Sequence, residues 1–162
     1  MTGDPAAIPP RTATDAYLAR MGGSRRIDLA FDVDLGELVE GHRVVARGLE
    51  LSDGGGVLHY ELVPGLRPGE TAAKGSFFWY WMLSVEDDLG TPYLDDNTGA
   101  FDPEEGKAAA HGVRDLGGAV PGEARLLRIG LRPAEGWTPP RPWCRLLEVA
   151  LPDGPVTPHP SG

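Results

Sequence analysis

Carboxylates are the residues of this chain best placed to do chemistry. Between Glu86 and Gly106 the sequence holds eight of them: Glu86, Asp87, Asp88, Asp95, Asp96, Asp102, Glu104 and Glu105. No lysine or arginine lies among them. Calcium takes about six to eight oxygens from carboxylates, carbonyls and water, and loops at one end of a β structure can supply such a set. Asp87, Asp88, Asp95, Asp96 and Asn97 are the candidate ligands. The spacing is not that of an EF-hand, because the glycine and the distal glutamate of that loop are missing. The same residues also fit turn chemistry. Asp87 or Asp88 can accept from the Leu89-Gly90 backbone, and Asp96-Asn97-Thr98-Gly99 reads as a turn. Paired carboxylates serve glycoside hydrolysis as acid and base, but only at a fixed separation, which adjacent aspartates on a loop do not define.

Other reactive residues are more dispersed. His42, His59, His111 and His159 show no His-x-x-x-His spacing. His59 is expected on an outward strand face, and only His111 follows the acidic segment closely. There is no Gly-x-Ser-x-Gly turn to present a nucleophile. Cys144, the single cysteine, reads as a small strand residue beside Trp143. Gly54-Gly55-Gly56 opens a strand, not a helix, so no helix N-terminus awaits a phosphate. The expectation is a chain without catalytic residues and without a cofactor, unless calcium is held by the acidic loops.

These loops must be positioned by strands. From Phe77, alternate residues point to opposite faces. One row is Phe77, Trp79, Trp81, Leu83 and Val85, wholly apolar and hence buried. The other is Phe78, Tyr80, Met82, Ser84 and Glu86. The reading is a strand at the centre of a β-sandwich. An exposed Phe78, Tyr80 and Met82, together with Trp137 and Trp143 in a proline-rich loop, would offer apolar surface to a protein partner. Ile27 to Leu35 alternates likewise, with Asp28, Asp32 and Asp34 on a solvated face that guards an edge. His42–Leu51 follows, with Val45, Leu49 and Leu51 inward. Ser52–Gly56 turns, and Val57–Val63 returns with Leu58, Tyr60 and Leu62 inward. A weaker strand is expected near 109–113. Glu123–Arg132, with Leu127, Ile129 and Leu131 inward, and Trp143–Leu151, with Leu147, Val149 and Leu151 inward, complete an all-β, antiparallel sandwich of seven or eight strands. Residues 1–26 are expected as a tail with a short helix at Thr12–Met21, 27–152 as the sandwich domain, and 153–162 as a disordered tail.

Composition agrees. Of 162 residues, 23 are glycine and 16 proline, which suits turn-rich β structure. Thirteen arginines against two lysines suggest a GC-rich genome. A net charge of −9 argues against non-specific nucleic-acid binding and against anionic membranes. The residues after Met1 lack a basic and then apolar leader, and no stretch approaches the roughly 18 apolar residues of a membrane span. With one cysteine, a cytoplasmic location is expected.

The segment order carries a resemblance. A Val-Val-Ala-Arg-Gly-Leu-Glu-Leu strand, a polar hairpin and Leu-His-Tyr-Glu-Leu come first. An aromatic strand ending in Asp87-Asp88-Leu89-Gly90-Thr91-Pro92-Tyr93 follows, and then Val120-Pro121-Gly122-Glu123-Ala124-Arg125-Leu126-Leu127-Arg128-Ile129. This resembles an actinobacterial family with an Asp-Asp-Leu-Gly-Thr-x-Tyr signature. More loosely it is similar to the immunoglobulin-like domains of bacterial telokin-like proteins. The resemblance spans about residues 27–152 and implies an immunoglobulin-like fold with no catalytic residues. Together these readings point to a non-enzymatic module that binds another protein. A calcium- or carbohydrate-binding sandwich and a hydrolase using the acidic loops are the alternatives.

Overall fold

The computed structural model describes residues 14, 18, 25–39, 41–69, 81–94, 98–102, 105–133, 143–152 and 154–160. Period-two alternation makes strands of most of them. The strands are β1 (Arg25–Val39), β2 (His42–Ser52), β3 (Gly55–Val63), β4 (Trp81–Asp87), β5 (Gly99–Phe101), β6 (Ala110–Asp115), β7 (Leu126–Pro133), β8 (Cys144–Ala150) and β9 (Val156–Pro160). They form two antiparallel sheets, one ordered β1-β2-β3-β6-β5 and the other β4-β7-β8-β9. The chain builds β1 to β3 in the first sheet and crosses for β4. It then returns for β5 and β6, and crosses again for β7 to β9.

The two sheets contribute to a single apolar cluster. Val44, Leu49, Leu58, Tyr60 and Leu62 come from the larger sheet, and Trp81, Leu83, Leu127, Ile129, Leu131, Leu147 and Val149 from the smaller. Trp81 is its largest fully buried side chain. Its indole meets Tyr60 edge-on at 5.0 Å between ring centres, and the Arg114 guanidinium lies 4.8 Å from the indole centre. Arg114 is itself fully buried and donates from Nη1 to the Trp81 carbonyl at 2.9 Å. Its charge is offset by that carbonyl and by the face of the ring. Tyr60 also runs parallel to Phe101 at 6.4 Å, and burial pushes its phenol up from the ordinary value.

The inward rows expected in β3, β7 and β8 are found, with Leu58, Tyr60, Leu62, Leu127, Ile129, Leu131, Leu147 and Val149 all buried. Leu151 lies just past β8 and is half-buried. In β1, Asp28, Asp32 and Asp34 are exposed, Leu29, Phe31 and Val33 half-buried and Leu35 buried. Three expectations differ, and a fourth, the weak strand near 109–113, is found. Val45 is outward and only half-buried while Val44 and Ala46 are buried, because β2 slips register between Ala46 and Gly48 and the bulge reverses the alternation before Leu49. The aromatic strand stands at one end of its sheet's order, not at its centre. The last residues of the chain are not all tail, since Val156–Pro160 pairs with β8. The weak pattern near 109–113 is β6, paired on both sides by β3 and β5. Of the expected helix at 12–21, only Thr14 and Leu18 are among the described residues. Phe77, Phe78, Trp79 and Tyr80 lie outside them.

Gly112 of β6 sits opposite Tyr60 on one side and Phe101 on the other. A Cβ there would meet Tyr60 Cζ and Oη, each at 2.4 Å. Gly112→Ala should therefore destabilise by about 1–3 kcal/mol through overpacking, read as a lower urea midpoint. An unchanged midpoint would mean that the Tyr60 ring does not lie across this glycine.

Candidate functional site

Among the described residues, polar side chains from four strands converge on the outer face of the five-stranded sheet. Alternation in β3 turns His59 and Glu61 away from the core while Leu58, Tyr60 and Leu62 turn in. In β6 the register sets His111 opposite Glu61 and Val113 opposite His59. The two histidines are thus diagonal neighbours on one face, a placement that brings side chains of this length together. His59 Nδ1 and His111 Nε2 stand 3.1 Å apart. The ring planes differ by only 16° and the ring centres are 5.3 Å apart. That separation is what two imidazoles give when the facing nitrogens lie on the line between their centres. The contact is an edge-to-edge N–H···N hydrogen bond, not a face-to-face stack.

A carboxylate stands at each far end of the pair. Glu50 Oε1 is 3.5 Å from His59 Nε2, and Asp102 Oδ2 is 3.7 Å from His111 Nδ1. Burial pushes His59 below the ordinary histidine value, and His111 adds to this, while Glu50 and Asp28 pull the other way. Asp102 is also tied to Thr14, accepting from its amide at 3.2 Å and from its hydroxyl at 2.7 Å. Thr14 is buried. In a nucleophilic triad the imidazole lies between hydroxyl and carboxylate. Here the carboxylate lies between hydroxyl and imidazole, so the group facing the Thr14 oxygen is Asp102 and not an imidazole.

Beside the pair is a hollow of about 350 Å³, lined by Asp28, Arg47, Glu50, His59, Glu61 and His111 over a floor that includes Gly48. The floor depends on the β2 bulge. At Gly48 the neighbouring strand is so close that a Cβ would come 2.5 Å from the Leu29 carbonyl oxygen. Arg47 spans the face, reaching Glu61 at 2.6 Å and Asp32 at 2.7 Å. Hydrogen bonds to Asp32 and then Glu61 raise its pKa further. Arg43 pairs with Asp34, donating from Nε at 2.7 Å.

The carboxylates singled out in the sequence are placed differently. Asp87 Oδ1 accepts from the Leu89 amide at 2.8 Å and the Thr91 amide at 3.2 Å, and Oδ2 accepts from the Tyr93 hydroxyl at 2.8 Å. Partial desolvation pushes this carboxyl up, but the bonds from Thr91, Tyr93 and Leu89 outweigh it and bring it down to about 2. Asp88 Oδ1 accepts from the Arg125 and Leu126 amides at 3.0 and 3.3 Å, which ties β4 to the start of β7. Asp95, Asp96 and Asn97 lie outside the described residues, as do Phe78, Tyr80 and Trp137. Met82 is half-buried on the outer side of β4, and Trp143 is half-buried and bridged to Gly36. Cys144 is buried, and that burial raises its thiol above the ordinary value. Among the described residues no three His, Cys, Asp or Glu side chains are grouped as metal ligands, and no helix is long and apolar enough to cross a membrane.

The histidine pair was missed in the sequence because its members are 52 positions apart. The available signal was the outward phase of His59, and nothing in the residue order says that β6 lies beside β3. Comparison with protein-family models, curated proteins and solved structures finds no match.

Asp87→Ala should cost about 1–2 kcal/mol at neutral pH, the magnitude of charged hydrogen bonds in a wet loop. Because the folded carboxyl lies below its ordinary value of 3.8, its contribution is full above that value and is lost as pH falls through about 2. The gap between wild type and variant in chemical denaturation should therefore close over that window. A gap that stays constant would show that the charge does not hold the loop.

Proposed function

We propose that this chain is a non-enzymatic, immunoglobulin-like module that binds a basic segment of another protein on the outer face of its five-stranded sheet. The fold part of this reading is supported by strand order. Taken as A to G, β2 to β8 give A-B-E-D in one sheet and C-F-G in the other, the arrangement of constant-type immunoglobulin domains. β1 then extends the first sheet beside A, and β9 the second beside G. A buried tryptophan on strand C, here Trp81, is a further point of likeness.

The binding part rests on the hollow over Gly48, where charged or titratable side chains from β1, β2, β3 and β6 converge. Among the described side chains of β1, β2 and β3 on this face, carboxylates outnumber guanidinium groups: Asp28, Asp32, Asp34, Glu50 and Glu61 stand against Arg43 and Arg47. Such a surface attracts a cationic partner and repels an anionic one. The net charge of −9 extends that field beyond the site.

Peptides selected from a random display library on the purified chain should be rich in lysine and arginine, with binding that weakens as salt rises. Asp28→Lys with Glu50→Lys should abolish binding at an unchanged melting temperature, while Met82→Asp on the other sheet should leave it intact. Loss of binding on Met82→Asp alone would move the site to the four-stranded face and overturn the reading.

A further inference from the structure

The histidine pair has four ring nitrogens in a row between two carboxylates: Glu50, His59 Nε2, His59 Nδ1, His111 Nε2, His111 Nδ1, Asp102. Two neutral imidazoles carry two protons. One of these makes the 3.1 Å bond between the rings, which leaves only one for the two outer nitrogens. Either Glu50 or Asp102 then faces a bare lone pair, and two electron-rich atoms oppose each other. A third proton removes that conflict, because both outer nitrogens then carry an N–H toward a carboxylate, at ion-pairing distances of 3.5 and 3.7 Å, and the inner pair still shares its hydrogen. A fourth would set two N–H groups head to head at the same 3.1 Å and break the bond.

From this arrangement we infer that His59 and His111 act as one proton-holding unit, which takes up a single proton from solvent and in that state fastens the Asp102 carboxylate, and through it Thr14, against the sheet. The step is a protonation only; no covalent bond forms or breaks. The described charged groups around the pair all bear on it. Asp28 of β1, Glu50 of β2 and Glu61 of β3 favour the proton, as does Asp102 beyond β5, while Arg47 of β2 opposes it. Arg47 is already engaged by Asp32 and Glu61, so its opposition is weakened. Burial lowers the proton affinity of His59 first, and His111 lowers it further, while Glu50 and Asp28 act in the other direction. The Asp102 carboxylate links the pair to Thr14. One oxygen holds the Thr14 amide, and the other holds the Thr14 hydroxyl on the side that faces His111. This device does not depend on the binding reading above.

The test is a pH titration of the whole chain by nuclear magnetic resonance, with amide exchange of Thr14 read alongside. Both imidazoles should shift together in one step of a single proton, with a strongly downfield N–H resonance. The second proton should enter only at distinctly lower pH. Corrected for intrinsic pH dependence, Thr14 exchange should be about tenfold slower with the proton bound, the scale of one charge-assisted hydrogen bond. His111→Gln should return His59 to an independent titration and remove the pH dependence at Thr14. Two independent one-proton titrations in the wild type, or Thr14 exchange that is equal on both sides of the step, would overturn the inference. Both are read on the unaltered chain, so the outcome stands even where the variant does not fold.

Discussion

The two sheets are held to one another through the indole of Trp81. It comes from β4 in one layer and meets Tyr60 of β3 and Arg114 of β6 in the other. An aromatic pair of this kind adds about 0.5–1.5 kcal/mol beyond the area it buries. A guanidinium over the ring in a dry setting adds about 2 kcal/mol. The arginine makes the arrangement specific as well as stable. A fully buried charge is costly unless its geometry is satisfied, so Arg114 fixes where the Trp81 carbonyl must sit and thereby the start of β4. Gly112 belongs to the same arrangement, because only a residue without a side chain leaves room for the Tyr60 ring between β3 and β6.

That interior constraint determines the exterior. Once Leu58, Tyr60 and Leu62 are committed inward, His59 and Glu61 have no choice but to face out. Once Arg114 is committed inward to Trp81, its neighbours Val113 and Asp115 are turned the other way, and His111 with them. The histidine pair is therefore a consequence of the core. Val57 and Val113, on the same face as the histidines, are fully buried yet stand apart from the central cluster. Part of the outer face is thus covered, and Thr14 is anchored there by Asp102.

The crossing loops do mechanical work with their acids. Asp87 closes the turn that leaves β4, Asp88 ties that turn to β7, and the Leu94 amide donates to the Gly117 carbonyl at 2.9 Å as the chain passes back toward the first sheet. At Gly117, with φ of 92°, a Cβ would strike the Leu94 carbonyl oxygen at 2.0 Å, so the crossing can run this close only over glycine. The Asp-Asp-Leu-Gly-Thr-Pro-Tyr segment is a crossover whose two carboxylates are engaged by backbone amides and a tyrosine hydroxyl. Turn chemistry and ion binding compete for the same oxygens. At Asp87 and Asp88 the described contacts are those of turns.

How much of this could be read from residue order follows from the range of each interaction. Alternation over five to nine residues is local, so it determined by itself that β1, β3, β7 and β8 are strands and which of their faces is apolar. It also determined that a Ser-Asp-Gly hairpin joins β2 to β3. The phase of β2 escaped because a bulge depends on the strand alongside: Gly48 is pressed against the Leu29 backbone, and one extra residue there reverses the meaning of Val45. The strand at Val156–Pro160 escaped because its apolar content is small and its support is β8. The meeting of Glu50, His59, His111 and Asp102 was decided wholly by tertiary structure. It requires β2, β3, β6 and β5 to lie side by side in a given register, and that order is set by how the crossings return the chain to a common core, a free-energy balance over the whole molecule that no short window of sequence contains.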